Sequence, residues 1–278
     1  MARPSAEDIK RAVNQRYGER AREMLGRREA EASSCCPNPS APPGSEAPVT
    51  DATSCCGPAE AAAAPEASAL AELLYTQEEL GALPDELAEQ SLGCGNPTAI
   101  AELAKGESVL DLGSGGGLDC FLAAHKVGPT GRVVGLDMNV DMIQLARLNA
   151  RKMNLTNAEF RLGEMEIMPF ADASFDVVIS NCVINLSPDK DAVFRECLRV
   201  LKPGGRFRVS DIVWLRESTE EERSNLASWA GCVAGALTEE DYVSKLRAAG
   251  FDDVRSDHVP DEGRGWTSAA ITATKLLA

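Results

Sequence analysis

Val109-Leu110-Asp111-Leu112-Gly113-Ser114-Gly115-Gly116-Gly117 is a short apolar run that meets an acid and then glycines. The amphipathic segment Leu118 to Lys126 follows. That order predicts strand, tight turn, helix. Glycines permit positive φ and let the backbone approach a ligand, while the N–H groups opening the helix face whatever fills the turn. A second apolar run, Arg132 to Leu136, ends in Asp137, about 20 residues beyond Gly117. A nucleotide-binding α/β sheet places a carboxylate against ribose hydroxyls at that offset.

Further runs extend the pattern. Ala158 to Leu162, Phe175 to Ser180 and Phe207 to Val213 read as strands, and Val140 to Met153 and Ser187 to Leu201 as helical segments. Phe175 to Ser180 is apolar on both faces, as a central parallel strand is. Ligands in such sheets bind beyond the carboxyl ends of strands, so Asn181 and Cys182 fall at the mouth of a site. Thr238-Glu239-Glu240-Asp241 caps a last helix, Asp241 to Ala249, that Gly250 ends. Strands near Val254 to His258 and Ser268 to Thr274 close the sheet. Alternating strands and helices predict a doubly wound, mostly parallel seven-stranded α/β sheet with helices on both faces.

Charge and composition bound the function. The chain has 278 residues, with 28 lysines and arginines against 43 acids and a net charge of −15. This argues against nucleic acid or an anionic membrane as substrate, because phosphate neutralisation needs clustered cations. No apolar run approaches transmembrane length. Met1 to Lys10 is polar and charged, unlike a signal peptide, so the expectation is a soluble cytoplasmic protein. Nine cysteines are many for a reducing compartment, but an odd number in a large chain argues against a disulfide framework. Only His125 and His258 are present, which disfavours a His-rich catalytic metal site.

In chain order, Asp8 to Arg27 predicts an amphipathic helix with Ile9, Val13, Tyr17 and Leu25 as apolar points. Residues 1–30 form this N-terminal unit, a candidate lid. Residues 31–68 are rich in proline and alanine and read as a linker. It carries the adjacent pairs Cys35-Cys36 and Cys55-Cys56, whose polar setting suits soft-ion capture or redox chemistry more than packing. The α/β core spans 69–213. Within it, Thr76-Gln77-Glu78-Glu79 has capping-box spacing. Asn96 and Pro97 read as N-cap and first residue of a helix from Pro97 to Ala104. Cys94 then precedes a helix N-terminus, a position expected to lower its thiol pKa. Cys120 and Cys197 lie within helices and read as core residues. Residues 214–240 form an insertion walling a substrate site, with Cys232 among small residues, and 241–278 hold the closing helix and strands.

The turn Asp111 to Gly117, with Leu201-Lys202-Pro203-Gly204-Gly205 before the fifth strand, resembles class I S-adenosylmethionine methyltransferases. Three further motifs narrow the resemblance: Ser91-Leu92-Gly93-Cys94-Gly95-Asn96-Pro97, Ser180-Asn181-Cys182-Val183-Ile184-Asn185-Leu186 and Gly231-Cys232-Val233-Ala234-Gly235-Ala236-Leu237. With them the chain resembles the arsenite methyltransferases over about residues 69 to 257. The resemblance implies that Cys94, Cys182 and Cys232 hold trivalent arsenic for methylation by S-adenosylmethionine. It implies cofactor contacts from Asp111, Gly113, Ser114, Gly115, Asp137 and Asn181. Glu164 would take the adenine amine, the Met165 backbone and Met138 would meet the adenine ring, and Tyr17 would stack over the cofactor. Methylated arsenicals, with thioredoxin or glutathione as thiol reductant, are the implied further partners. Cys35, Cys36, Cys55 and Cys56 resemble that family's N-terminal vicinal cysteines.

The chemistry is consistent with the residues. Thiolates suit a soft centre, and three satisfy As(III) while leaving its lone pair as nucleophile, so no general base is needed. Two other readings remain open: a methyltransferase acting on oxygen or carbon of a small molecule, with incidental cysteines, and a non-catalytic thiol protein that binds a soft metal.

Overall fold

The computed structural model describes residues 4–34, 74–81, 83, 87, 94–258 and 263–277. The pairs Cys35-Cys36 and Cys55-Cys56 lie outside the described residues, as does most of the linker expected over 31–68.

Seven strands form one sheet: β1 (Ser108–Leu112), β2 (Arg132–Asp137), β3 (Ala158–Leu162), β4 (Phe175–Asn181), β5 (Leu201–Trp214), β6 (Phe251–His258) and β7 (Trp266–Lys275). Their order is β3-β2-β1-β4-β5-β7-β6. The first five are parallel, and β7 runs antiparallel to both β5 and β6. The chain therefore winds outward from β1 to β3 and returns to place β4 beside β1. That reversal is the switch point at which such sheets open a crevice.

Alternation along each strand builds two cores, because successive side chains face opposite ways. Leu110, Leu112, Val134 and Val178 join Phe194 and Cys197 of α6 (Lys190–Val200) and Tyr242 and Leu246 of α9 (Glu239–Ala249). On the other face, Val109, Val133 and Val177 pack with Cys120 and Phe121 of α4 (Leu118–Val127) and Ile143 and Ala146 of α5 (Val140–Lys152). Cys120 and Cys197 are fully buried, as expected of core residues.

The N-terminal helix α1 runs Ala6–Ser34, longer at both ends than its apolar spacing marks. Ile9 and Val13 are buried with Leu186, Ile212 and Trp214, and Ala21 is buried with Met142 and Leu145. Polar ties fasten α1 across the carboxyl ends of the strands. Lys10 Nζ lies 2.7 Å from Glu164 Oε2, the Asn139 amide donates to Asn14 O at 2.9 Å, and Arg22 pairs with Asp141.

Two short helices precede the sheet, α2 (Gln77–Gly81) and α3 (Pro97–Ile100). The capping box at Thr76 forms: its N–H donates to Glu79 Oε2 at 3.0 Å, and the Glu79 N–H to Thr76 Oγ1 at 3.2 Å. Asn96 caps α3 by accepting from the Ala99 N–H at 3.0 Å. The helix stops at Ile100 and not at Ala104. Glu102 adopts a left-handed φ of 48°, and the Ala104 N–H turns to Glu107 Oε2 at 2.8 Å. Strand β5 begins at Leu201 rather than Phe207, because Lys202 to Gly205 are carried as an irregularity in its pairing with β4. The insertion after β5 folds into α7 (Glu220–Ser224) and α8 (Leu226–Ala230). No described helix is long and apolar enough to cross a membrane.

Candidate active site

A cavity opens at the carboxyl ends of β1, β2 and β4, beneath α1. Gly113, Ser114, Gly115, Asp137, Met138, Met165, Asn181, Cys182 and Tyr17 line it. The turn after β1 is fixed by the sheet, since the Gly113 and Ser114 N–H groups both donate to Leu136 O, at 2.7 and 3.1 Å. Gly113 has a φ of 67°, and a Cβ there would run into Val183. Gly117 has a φ of 97°, where a Cβ would strike the Phe121 ring 2.6 Å away. Only glycine meets both demands at these positions.

Asp137 ends β2 at the cavity wall. Its Oδ2 accepts from the Gly115 N–H at 2.9 Å and its Oδ1 from the Asn139 N–H at 2.8 Å. Burial pushes this carboxyl above its ordinary value, against the lowering effect of those N–H groups. The Ser114 hydroxyl is buried with no hydrogen-bond partner among the described residues. An acid at the end of β2, Met138 and Met165 in the wall and an orphaned hydroxyl in the turn are a set of groups that fits S-adenosylmethionine.

Two expected cofactor contacts lie elsewhere. Asp111 is buried beneath the turn and does not line the cavity; Cys120 Sγ–H donates to its Oδ2 at 3.2 Å. Burial first, and the neighbouring Asp119 next, push its carboxyl well above the carboxylate range. Glu164 is also absent from the wall, and its carboxylate takes the Lys10 ammonium.

Beside the cavity the three motif cysteines converge. Cys94 and Cys182 present Sγ atoms that lie, with a carboxylate oxygen of Asp211, all within 4.8 Å of one another. Cys232 Sγ–H donates to Cys182 O at 2.7 Å, and the Cys182 thiol contacts those of both Cys94 and Cys232. Trp214, Leu186, Ile9 and Val13 enclose the group. Cys182, at φ 61°, and Cys232, at φ 69°, both hold left-handed backbone, uncommon for residues with a Cβ. The Cys182 N–H donates to Ser210 O at 2.7 Å and the Cys232 N–H to Trp229 O at 2.9 Å.

The expectation of an acidified Cys94 is overturned. Contact with Cys182 pulls the thiol down, but burial and the charges of Asp211 and Cys232 outweigh it, leaving it above its ordinary value. Helix α3 is only Pro97–Ile100 and is capped by Asn96, whereas Cys94 packs against the Cys182 thiol and the Asp211 carboxylate. Cys182 is pushed well above the thiol range by its hydrogen bonds to Cys232 and Cys94 and by burial. Burial, then the two cysteines Cys232 and Cys182, likewise push the Tyr17 phenol far up. Ligand binding therefore has to displace protons from thiols that hold them.

Asn181 does more than edge the cavity. Its Oδ1 accepts from the Cys94 N–H at 3.0 Å and the Gly95 N–H at 3.2 Å. Its Nδ2 donates to Gly95 O at 2.7 Å, Tyr75 Oη at 3.1 Å and Asp119 Oδ2 at 3.1 Å. One side chain thus fastens the Cys94 turn to the end of β4. Neither this clamp nor Asp211 was foreseen. An acid inside the run Phe207 to Val213 was the available signal for Asp211; nothing local marked the clamp.

A family model described as a methyltransferase domain matches residues 103–250. The crystal structure of an arsenic(III) S-adenosylmethionine methyltransferase from Chlamydomonas reinhardtii is 35% identical, with a TM-score of 0.59, covering 77% of this chain and 74% of that one. The chain belongs to the arsenite methyltransferase family. An arsenite methyltransferase from Halobacterium salinarum is 50% identical over 189 residues, which are 68% of this chain and 48% of that protein. Another from Aquipseudomonas alcaligenes is 40% identical over 198 residues, 69% of this chain and 56% of that protein. The chain spans about half the length of the curated arsenite methyltransferases it matches.

Proposed function

We propose that this chain methylates trivalent arsenic, holding it on Cys94, Cys182 and Cys232 beside an S-adenosylmethionine bound in the adjoining cavity. The observation that carries the reading is the meeting of three thiols from three separate elements, one of which, Cys182, also lines the cavity. Each thiol exchanges its proton for an As–S bond as one arsenic hydroxyl leaves as water. Three exchanges leave arsenic neutral, with its lone pair unshared. S-adenosylmethionine supplies an electrophilic methyl group on a sulfonium whose leaving group is a neutral thioether. The protein's work is placement: Asp137 would hold the ribose hydroxyls, Met138 and Met165 the adenine and Gly113 to Gly115 the remainder of the cofactor. Glu164 and Asp111 act at one remove, the first through Lys10 and the second beneath the turn.

Sharing the lone pair oxidises arsenic by two electrons. A thiol reductant, thioredoxin or glutathione, returns it to the trivalent state for release or a further round. Cytoplasm, where such reductants keep thiols free, is the fitting compartment. Residues 1–30 serve as lid and residues 214–240 as the wall on the arsenic side. Cys35, Cys36, Cys55 and Cys56 serve as an auxiliary capture site, raising the local arsenite concentration at the core.

Labelled cofactor with arsenite and a thiol reductant tests this. Labelled methylarsenical is the expected product. Arsenite-independent methylation of an organic acceptor, or tight arsenite binding without turnover, would overturn the reading in favour of a small-molecule methyltransferase or a soft-metal binder.

A further inference from the structure

Three thiolates complete the valence of As(III), which leaves one buried group at the cluster without a task. Asp211 is fully buried in β5. Burying a carboxylate is costly unless strong partners compensate. Its hydrogen-bond donors among the described residues are neutral: the Ile212 N–H at 3.1 Å, the Tyr242 hydroxyl at 3.4 Å and the Asn185 N–H. Yet one of its oxygens lies within 4.8 Å of both Cys94 Sγ and Cys182 Sγ. Against arsenic this carboxylate is a hard donor facing a soft centre that already has its ligands.

We propose that Cys94, Cys182 and Asp211 form a mixed thiolate–carboxylate site for a divalent d10 cation, zinc or cadmium, overlapping the arsenite thiols. Zinc takes sulfur at about 2.3 Å and carboxylate oxygen at about 2.0–2.2 Å, so a tetrahedron separates such ligands by roughly 3.5–3.8 Å. Small side-chain shifts close the present spacing to that value. The fourth position stays open to water, as in zinc sites with three protein ligands. Two thiolates, one carboxylate and a divalent cation sum to one negative charge. The buried Lys190 ammonium, whose charge acts on Asp211, balances it. The Tyr242 hydroxyl, 3.4 Å from Asp211 Oδ2, orients the carboxylate, as groups behind metal ligands do. Binding is coordination alone: the thiol protons, and any on the carboxyl, pass to solvent, and nothing is oxidised or reduced. Cation and arsenite exclude each other, and Asp211 is the ligand that tells them apart. The site shares cysteines with the arsenite reading but does not depend on it.

The test uses the full chain with Cys35, Cys36, Cys55 and Cys56 changed to Ser, so that thiols elsewhere do not count. Cadmium is titrated in the ultraviolet thiolate-to-cadmium band, zinc by competition with a fluorescent chelator, and arsenite separately. One cation per chain is expected, and arsenite should release it one for one. Asp211→Asn should weaken cadmium and zinc at least tenfold while arsenite affinity stays within twofold. X-ray absorption of the zinc-loaded chain, with Asp211 intact, should show two sulfur neighbours completed by oxygen. An all-sulfur shell, no stoichiometric cation, an Asp211→Asn variant that binds cation undiminished, or equal loss of cation and arsenite would each overturn the proposal. Asp211-dependent cadmium binding without arsenite binding would instead overturn the arsenite reading and leave this one standing.

Discussion

Asn181→Ala removes the clamp that joins the Cys94 turn to the end of β4. Two backbone N–H groups, those of Cys94 and Gly95, lose their acceptor, at 3.0 and 3.2 Å in the intact protein. A net value of about 0.5–1.5 kcal/mol per hydrogen bond makes the turn less favourable by roughly 1–3 kcal/mol. The three bonds donated by Nδ2 add to the disturbance, but Tyr75 and Asp119 retain one another at 2.9 Å. If Cys94 is the third arsenic ligand, this cost falls on the three-thiol complex. Arsenite affinity should then fall about 5- to 150-fold. Methylarsenite has only two exchangeable positions and can use Cys182 and Cys232 alone, so its affinity should stay within about twofold. Trp214, Trp229 and Trp266 surround the cluster, so intrinsic fluorescence reads both titrations without cofactor present. A second substitution sharpens the test: Cys94→Ser in the Asn181→Ala background should cost less than it does alone, because both act through one ligand. Unchanged arsenite affinity in a folded variant, or equal losses for both arsenicals, would refute the clamp.

Three other outcomes are expected. Cys94→Ser should impair methylation of arsenite far more than of methylarsenite, whereas Cys182→Ser or Cys232→Ser should impair both; product formation from each substrate decides. Asp137→Ala should weaken S-adenosylmethionine by about 1.5–3 kcal/mol in calorimetric titration and leave arsenite binding in place, since none of its proposed ligands lies on β2. Asp119 gives the pH dependence: burial pushes its carboxyl from 3.8 to about 6, so the folded chain binds that proton more tightly than the unfolded one. The contribution of this group to stability is then greatest below pH ~4 and falls by up to ~3 kcal/mol as pH rises to ~6. Asp119→Asn cannot titrate, so urea unfolding should show the variant gaining on wild type across that window; a pH-independent difference would count against it.

What the sequence made legible was local. Strand, glycine turn and helix at Val109 to Lys126, the cap at Asn96 and the acid closing β2 each depend on neighbours a few residues away. The strand-end rule put Cys182 at the mouth of the cavity for the same reason. What stayed hidden depends on residues far apart in the chain. The Asn181 clamp joins positions 87 apart, and Lys10 reaches Glu164 across 154. Glycines around Cys94 suggested an open, reactive turn, but the lowering contact with Cys182 is outweighed by burial and the charges of Asp211 and Cys232, which raise its thiol instead.

The three thiols are held by different physical means, and this bears on how the site receives a ligand of changing valence. Cys182 and Cys232 sit in left-handed backbone, a conformation costing of order 1–3 kcal/mol where a Cβ is present. It persists because the surroundings fix it. The Cys182 N–H is held by Ser210 O, and packing beyond Cys232 is tight enough that a Cβ on Gly235 would meet Asn185 O and the Trp229 ring. Their Cα–Cβ directions are therefore set before any ligand arrives, and binding need not order that backbone. Cys94 needs no left-handed backbone and keeps its place through the side chains of two distant residues, Asn181 on its N–H and Ser268, whose hydroxyl donates to its carbonyl at 2.7 Å. Hydrogen bonds of that kind open more readily than a packed backbone, so in the proposed three-thiol site Cys94 is the ligand expected to leave. A centre that loses one exchangeable position with its first methyl group then keeps the two anchors that do not move.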